Sequence, residues 1–205
     1  NDPFLRQSFE QQFIAGLTYS FTYNEMVADQ KKHQFYVNFT FDIAGNSISL
    51  FGKDQGPDVP KTFLGFAYAQ YAKADIDLHY HFNLANEQVI AARLFGGYGY
   101  AYGNSEVVPF VKQYYSGGPY SVRAFNIRSL GPGTYNSDMD SSLNSDDYFD
   151  KTGNIKLEAN LEYRFPIVSF FKGAVFVDAG NIWNSVENPV YNGKDKFTSD
   201  FLSQL

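Results

Sequence analysis

Residues 74–83 read ADIDLHYHFN. Ala74, Ile76, Leu78, Tyr80 and Phe82 alternate without a break with Asp75, Asp77, His79, His81 and Asn83. That period of two belongs to a strand with one apolar and one polar face, since a helix would scatter both sets around its axis. The same alternation recurs along the chain. Phe13, Ala15, Leu17, Tyr19, Phe21 and Tyr23 share one parity, and so do Phe35, Val37, Phe39, Phe41 and Ile43. Ile90, Ala92, Leu94, Tyr98 and Tyr100 stand opposite Arg93 and glycines. Ile155, Leu157, Ala159, Leu161, Tyr163 and Phe165 stand opposite Lys156, Glu158, Asn160, Glu162 and Arg164. The last run, 173–183, is apolar on both faces apart from a central Asp178. These patterns predict consecutive antiparallel strands at 13–23, 34–43, 64–83, 89–102, 155–165 and 173–183.

The polar faces decide the environment. A soluble sandwich turns mixed Ser, Thr and Lys to water and packs its apolar face on a second sheet. Here the polar faces carry opposed charges, as expected of a wet, ion-paired interior. The apolar faces gather Tyr23, Tyr80, Phe82, Tyr163 and Phe165 beside short turns, the arrangement of an interfacial girdle. Each apolar run has about the nine to eleven residues that a tilted strand needs to cross a bilayer. Connections alternate between brief ones, NEMVADQKKH, NLANEQ and PIVSFFK, and longer ones, the intermediate FGKDQGPDVPKT and a very long one at 103–154. Outer-membrane barrels keep short turns in the periplasm and long loops outside. The reading is therefore all-β, part of a transmembrane antiparallel β-barrel. Residues 137–150 are expected at the cell surface, with 24–33 and 84–88 in the periplasm. Six strands fall short of the minimum of about eight that closes such a barrel. Residues 1–205 are accordingly expected to be a partial barrel domain, with further strands after 205.

Composition agrees. Phe and Tyr number 21 and 16 against one Trp, and aromatics make up 19% of the chain, well beyond an ordinary core. There is no cysteine, which removes disulfides and thiol chemistry. The net charge of -6, with no basic stripe, argues against a nucleic-acid partner. No stretch approaches a transmembrane helix, and the opening NDPFLRQSFEQQ carries no signal-peptide pattern.

Within the long connection, residues 117–133 read GGPYSVRAFNIRSLGPG. This segment resembles the inward-folded loop of the outer-membrane insertase superfamily, the BamA/TamA surface-antigen family, whose hallmark reads Val-Arg-Gly-Phe or Val-Arg-Gly-Tyr. Here it is Val122, Arg123, Ala124 and Phe125, so alanine replaces the usual glycine. GNIKLEANLEYRFPI and GAVFVDAGNIWN, further along, resemble the two family strands that follow that loop, in the same order. The resemblance covers 115–184, about a third of the chain, and the KLEANLEYRFP version is closer to TamA-like members than to exporters. It implies a barrel of about sixteen strands in the Gram-negative outer membrane. It also implies that the loop arginine pairs with acids on the next two strands, which map onto Glu162 and Asp178.

Physical chemistry supports that pairing separately. A structureless loop of about fifty residues is uncommon unless functional. An arginine carried into the lumen needs carboxylates, and its planar fork suits two of them better than lysine does. Glu162 shares the polar face of Lys156, Glu158 and Arg164. Adjacent strands would set the two acids about 5 Å apart. Val122 and Phe125 are expected to pack while the fork faces the wall. Gly117, Gly118, Gly131 and Gly133 are expected at the loop's two bends, where positive φ is needed.

Other candidates are weaker. His79 and His81 with Asp75 and Asp77 could approach a metal, but a lumen wall explains them as well. SDMDSSLNSDDYFD at 137–150 alternates acids without the glycine and terminal glutamate of an EF-hand and reads as a solvated outer loop. GYGYAYG at 97–103 has no helix after it, so it is no phosphate loop. His33 has no evident partner. No catalytic motif is present, and neither catalysis nor a nucleotide, redox or metal cofactor is expected.

Three functions are compatible with this reading. The first is an insertase that helps client outer-membrane proteins fold into the bilayer, with outer-membrane lipids and periplasmic or lipoprotein accessory subunits as partners. The second is a two-partner secretion exporter of the same superfamily. The third is a structural or adhesive surface barrel. The resemblance ranks the insertase first and places periplasmic POTRA domains outside these residues.

Overall fold

The computed structural model describes residues 11–27, 31–56, 59–84, 87–135, 151–186, 191 and 193–205. Eight strands are present among them: β1 (Gly16–Asn24), β2 (His33–Ala44), β3 (Thr62–Phe63), β4 (Phe66–Ala67), β5 (Tyr71–Asn83), β6 (Val89–Ala101), β7 (Ile155–Val168) and β8 (Phe171–Trp183). Six form one open sheet in the order β1-β2-β5-β6-β7-β8, and β3 and β4 make a small separate hairpin. Every neighbouring pair in the large sheet is antiparallel. No described helix is long and apolar enough to cross a membrane.

Register converts the sequence period into two faces. Leu17 lies opposite Ile43, Phe39 opposite Ile76, Leu78 opposite Leu94, Ala92 opposite Leu161, and Leu161 opposite Val177. Since directly opposed residues share a face, these pairs build one continuous apolar surface. It is bare within the described residues: Leu17 is 71% exposed, Leu161 52% and Val177 70%. The other face carries Asp42, Asp75, Asp77, His79, Arg93, Lys156, Glu158, Glu162 and Asp178, and it is laced with ion pairs. Arg93 grips Asp77 through Nε to Oδ1 at 2.8 Å and Nη2 to Oδ2 at 3.0 Å. A sheet with bare apolar residues on one side and paired charges on the other matches a barrel wall between lipid and a wet lumen.

Several boundaries move. The third strand, expected over 64–83, starts only at Tyr71, because Leu64 and Gly65 take left-handed φ values of 52° and 88° and close the β3–β4 hairpin. The first strand starts at Gly16 rather than Phe13. Phe13 leaves the sheet and bridges Tyr68, donating its N–H to Ala67 O at 2.8 Å. The fifth strand continues three residues beyond Phe165, through a bulge between Pro166 and Val168. His33 does have a partner: its Nδ1 lies 2.7 Å from the Tyr80 hydroxyl, and its ring stacks on Phe82 at 5.0 Å. Segment 137–150, with its alternating acids, lies outside the described residues.

Candidate functional site

The described parts of the long connection between β6 and β7, residues 102–135 and 151–154, fold against the charged face of the sheet, and glycines make room for them. In the GYGYAYG run, Tyr98 and Tyr100 point to the apolar side, while Gly97 and Gly99 open the lumenal side. A Cβ at Gly97 would lie 2.5 Å from the Tyr114 ring, so that ring occupies the space a side chain would take. The Tyr114 hydroxyl donates to Asp75, and the Lys73 ammonium sits 4.0 Å from its ring centroid. Burial, followed by that bond and charge at Asp75, pushes the Tyr114 phenol well above the ordinary tyrosine range. Backbone bonds of 2.8 and 2.9 Å tie Tyr114 to Gly153 and close the base of the loop. Lys112 adds an ion pair to Asp42 at 2.8 Å.

The tip is shaped by a tight double bend. Gly117 and Gly118 both have φ of 99°, and a Cβ on Gly117 would meet Asn126 O at 2.1 Å. Gly118 N–H donates to Phe125 O at 2.9 Å, so residues 118–125 form a closed turn that carries Val122, Arg123 and Ala124 at its head. At the second bend, Gly131 and Gly133 have φ of 79° and 57°, and Gly133 N–H donates to Ile182 O at 2.7 Å on the rim of β8. Ala124 is not among the described residues with positive φ, so alanine in the family's glycine position carries no backbone strain.

The turn delivers Arg123 to both acids. Its Nε donates to Asp178 Oδ2 at 2.7 Å, Nη2 to Oδ1 at 2.8 Å, and its backbone N–H to Oδ2 at 3.1 Å. Its Nη1 donates to Glu162 Oε2. The guanidinium carbon lies 3.6 Å from the centroid of Phe176, which backs the fork with a ring face. Asp178, and then Glu162, hold the guanidinium's proton more firmly than usual. The side chains of Arg123, Glu162 and Asp178 are 25%, 16% and 4% exposed, so the clamp is largely shielded from solvent. Pairing is not side by side: Glu162 faces Phe176 and Asp178 faces Asn160. The acids therefore stand on a diagonal of about 7–8 Å rather than about 5 Å, which leaves room for the fork between them.

Other placements differ from expectation. Val122 is buried, but Phe125 is 49% exposed, so it is only half covered. Arg128 turns away from the acids, with φ of 59° and its guanidinium 4.8 Å from the Tyr115 centroid and 5.5 Å from that of Phe110. His79 pairs with Asp77 at 3.0 Å and meets the Tyr36 ring edge-on.

A second attachment was not anticipated from sequence. Glu158, whose side chain is fully buried, accepts from Ser121 Oγ and from Ser116 Oγ at 3.1 Å, both in the loop. Its charge is met by Lys156 Nζ at 2.9 Å and Arg93 Nη1 at 3.3 Å from the wall. Asn160 links the two sites by donating to Ser121 O at 2.8 Å and Asp178 Oδ1 at 2.9 Å. Gly180, opposite Glu158, leaves the gap that Val122 enters, since a Cβ there would lie 2.7 Å from Glu158 Cγ and 3.0 Å from Val122 Cγ2. Parity alone placed Glu158 and Asn160 on this face. Their serine and backbone partners depend on how the loop turns.

The geometry is one in which a lumenal loop is fastened to two adjacent wall strands by a charged clamp and a buried hydroxyl clamp. Residues 35–200 match the model of the Omp85 superfamily domain. Among curated proteins, the chain is similar to the outer membrane protein assembly factor BamA of Neisseria meningitidis serogroup B. The two are 31% identical over 91 residues, which covers 40% of this chain and 10% of that protein. The chain thus spans about a tenth of the length of the relative it matches. A sheet with a lipid-type face, a wet charged face and a clamped loop, matched by the family model over most of its length, identifies the chain as a member of the Omp85 superfamily, in the Gram-negative outer membrane.

Proposed function

We propose that the chain forms the clamped-loop wall of an outer-membrane insertase, which helps client β-barrel proteins fold into the bilayer. The observation that carries this reading is the fastening of Arg123 to Asp178 and Glu162 within an Omp85 superfamily domain. The name of the relative, an outer membrane protein assembly factor, supports the same activity. An unpaired client strand exposes backbone donors and acceptors that lipid cannot satisfy, so each pairing step at an available edge lowers the free energy of insertion. Client folding supplies the driving force, and no nucleotide or redox cofactor is invoked. The part of these residues is to hold a rigid, loop-filled wall while its apolar face contacts outer-membrane lipids. Client outer-membrane proteins and periplasmic or lipoprotein accessory subunits are the partners this role implies.

The test is reconstitution of the full-length protein in phosphatidylcholine vesicles with a urea-unfolded client barrel, scored by heat-modifiable migration on gels. Faster client folding than in empty vesicles, slowed by Arg123→Ala, is the expected result. Equal rates with and without the protein would overturn it. Passage of a soluble passenger without faster barrel folding would favour the exporter.

A further inference from the structure

The three short turns of the sheet differ in chemistry. Two carry charge in sequence, EMVADQKK at 25–32 and LANEQ at 84–88, whereas the tip of the β7–β8 hairpin, IVSFF at 167–171, has none. That tip is also bare: Ile167 is 63% exposed, Val168 64%, Phe170 79% and Phe171 57%. An aqueous turn gains nothing from four unshielded apolar side chains, and such a patch usually marks an interaction surface.

The bulge determines which way the patch faces. Pro166 opposes Lys172 and Val168 opposes Phe171, so Ile167 is the extra residue. Proline has no N–H for the ladder, which fits a break in pairing here. Phe171 keeps the parity of Val175 and Val177 on the apolar side, and Val168, directly opposite, shares that side. Ile167 has the parity of Tyr163 and Phe165. The bulge therefore adds a second consecutive apolar side chain to the lipid side, where strict alternation would have turned Val168 inward. Phe170 packs on Phe171 with ring centroids 4.4 Å apart. On the lumenal side of the same tip, Lys172 pairs with Glu87 at 3.0 Å, both well exposed. The hairpin end is thus two-sided, apolar toward the bilayer and ionic toward water.

We propose that residues 167–171 form an interfacial anchor, inserted into the headgroup and acyl boundary of the periplasmic leaflet, while the other two short turns remain in water. The occupant is a phospholipid surface, because the patch continues the lipid-facing side of the sheet and its reverse side is ionic. Aromatic rings in that layer hold their depth through both apolar and interfacial contacts. The anchor lies on the two strands that carry Glu162 and Asp178, so it sets the height of the Arg123 clamp relative to the membrane.

The test uses the full-length protein in vesicles of phosphatidylethanolamine and phosphatidylglycerol, with nitroxide labels on Phe170→Cys and, separately, Glu87→Cys. Label accessibility to oxygen and to a water-soluble nickel chelate is measured, and folding is checked by heat-modifiable migration. A Val168→Cys label serves if the first variant does not fold. The oxygen-to-nickel ratio should be severalfold higher at position 170 or 168 than at 87. Equal ratios would overturn the proposal. A label immobilised and shielded from both reagents would also overturn it, in favour of a protein partner covering the tip.

Discussion

Asp178 receives three hydrogen bonds from Arg123, two from the guanidinium at 2.7 and 2.8 Å and one from the backbone N–H at 3.1 Å. The backbone bond fixes the direction of the turn as well as the charge, so the residue acts as both a counter-ion and an anchor for the loop. Arginine meets it with two parallel donors, a geometry that lysine cannot reproduce.

Removing Arg123 leaves two carboxylates under-compensated in a partly shielded site. Fully buried pairs cost about 3–5 kcal/mol when one partner is lost, and the water that reaches this clamp lowers the expected figure to about 2–3 kcal/mol of loop docking. Arg123→Ala should raise the mobility of a nitroxide at Tyr120→Cys and the protease sensitivity of the loop. Arg128→Ala, at a guanidinium that lies over the Tyr115 and Phe110 rings and not on Glu162 or Asp178, should do so less. Exchanging charges with Arg123→Glu and Glu162→Arg should restore docking only in part, because Asp178 would then face a glutamate. Equal mobility for the two alanine variants would refute the clamp.

Gly180→Ala tests the buried attachment. The added methyl would lie 2.7 Å from Glu158 Cγ, and such overpacking costs about 1–3 kcal/mol. Loop mobility should rise with the sheet intact. Ser121→Ala should give a smaller change in the same direction, and an unaltered loop in both variants would show that the Glu158 site does not hold it.

The two faces should respond oppositely to charge. Leu161→Lys, near the middle of the lipid side, should lower barrel stability by about 2–4 kcal/mol in a denaturant titration. Lysine at Ser20, on the lumenal side of β1, should be near neutral. Asn160→Lys is not a neutral control, although parity alone would make it one. Asn160 donates to Ser121 O and Asp178, so its loss should loosen the loop.

Alkaline pH should release the base of the loop. The folded-state pKa of Tyr114 is raised by burial and by its bond to Asp75. A raised pKa means that the contribution is complete below the unfolded tyrosine value, about 10, and is lost as pH climbs beyond it. Nitroxide mobility at Tyr120→Cys should increase above that pH in the parent. In Tyr114→Phe the onset should flatten, from a looser starting point. An identical alkaline profile in both would assign the transition to another group.

Membrane orientation follows from connection length. Leu64→Cys, in the β3–β4 hairpin at the long-loop end, should react with an impermeant maleimide on intact cells. Glu87→Cys should react only after the outer membrane is opened. The reverse pattern would invert the topology.

The period of two in residues such as 74–83 and 155–165 is a local property of the backbone, so strand identity, the two faces and the lipid side were legible in sequence. The opposed charges on one face announced a wet interior, while the assignment of Glu162 and Asp178 to Arg123 came from the resemblance of the loop and the two following strands to the family, with the parity of Glu162 in agreement. Turn chemistry was less legible: Leu64 adopts a left-handed φ without a sequence signal, and the strand starts at Tyr71 for that reason. Tertiary structure alone decided that the acids sit on a diagonal around Phe176, that Ser116 and Ser121 reach Glu158, and that Asn160 joins the two sites. It also decided that Phe125 stays exposed and that a bulge turns Val168 toward lipid. These depend on inter-strand register and on the path of a loop returning across the sheet. Both are set by contacts between residues far apart in the chain, which alternation within a single strand does not encode.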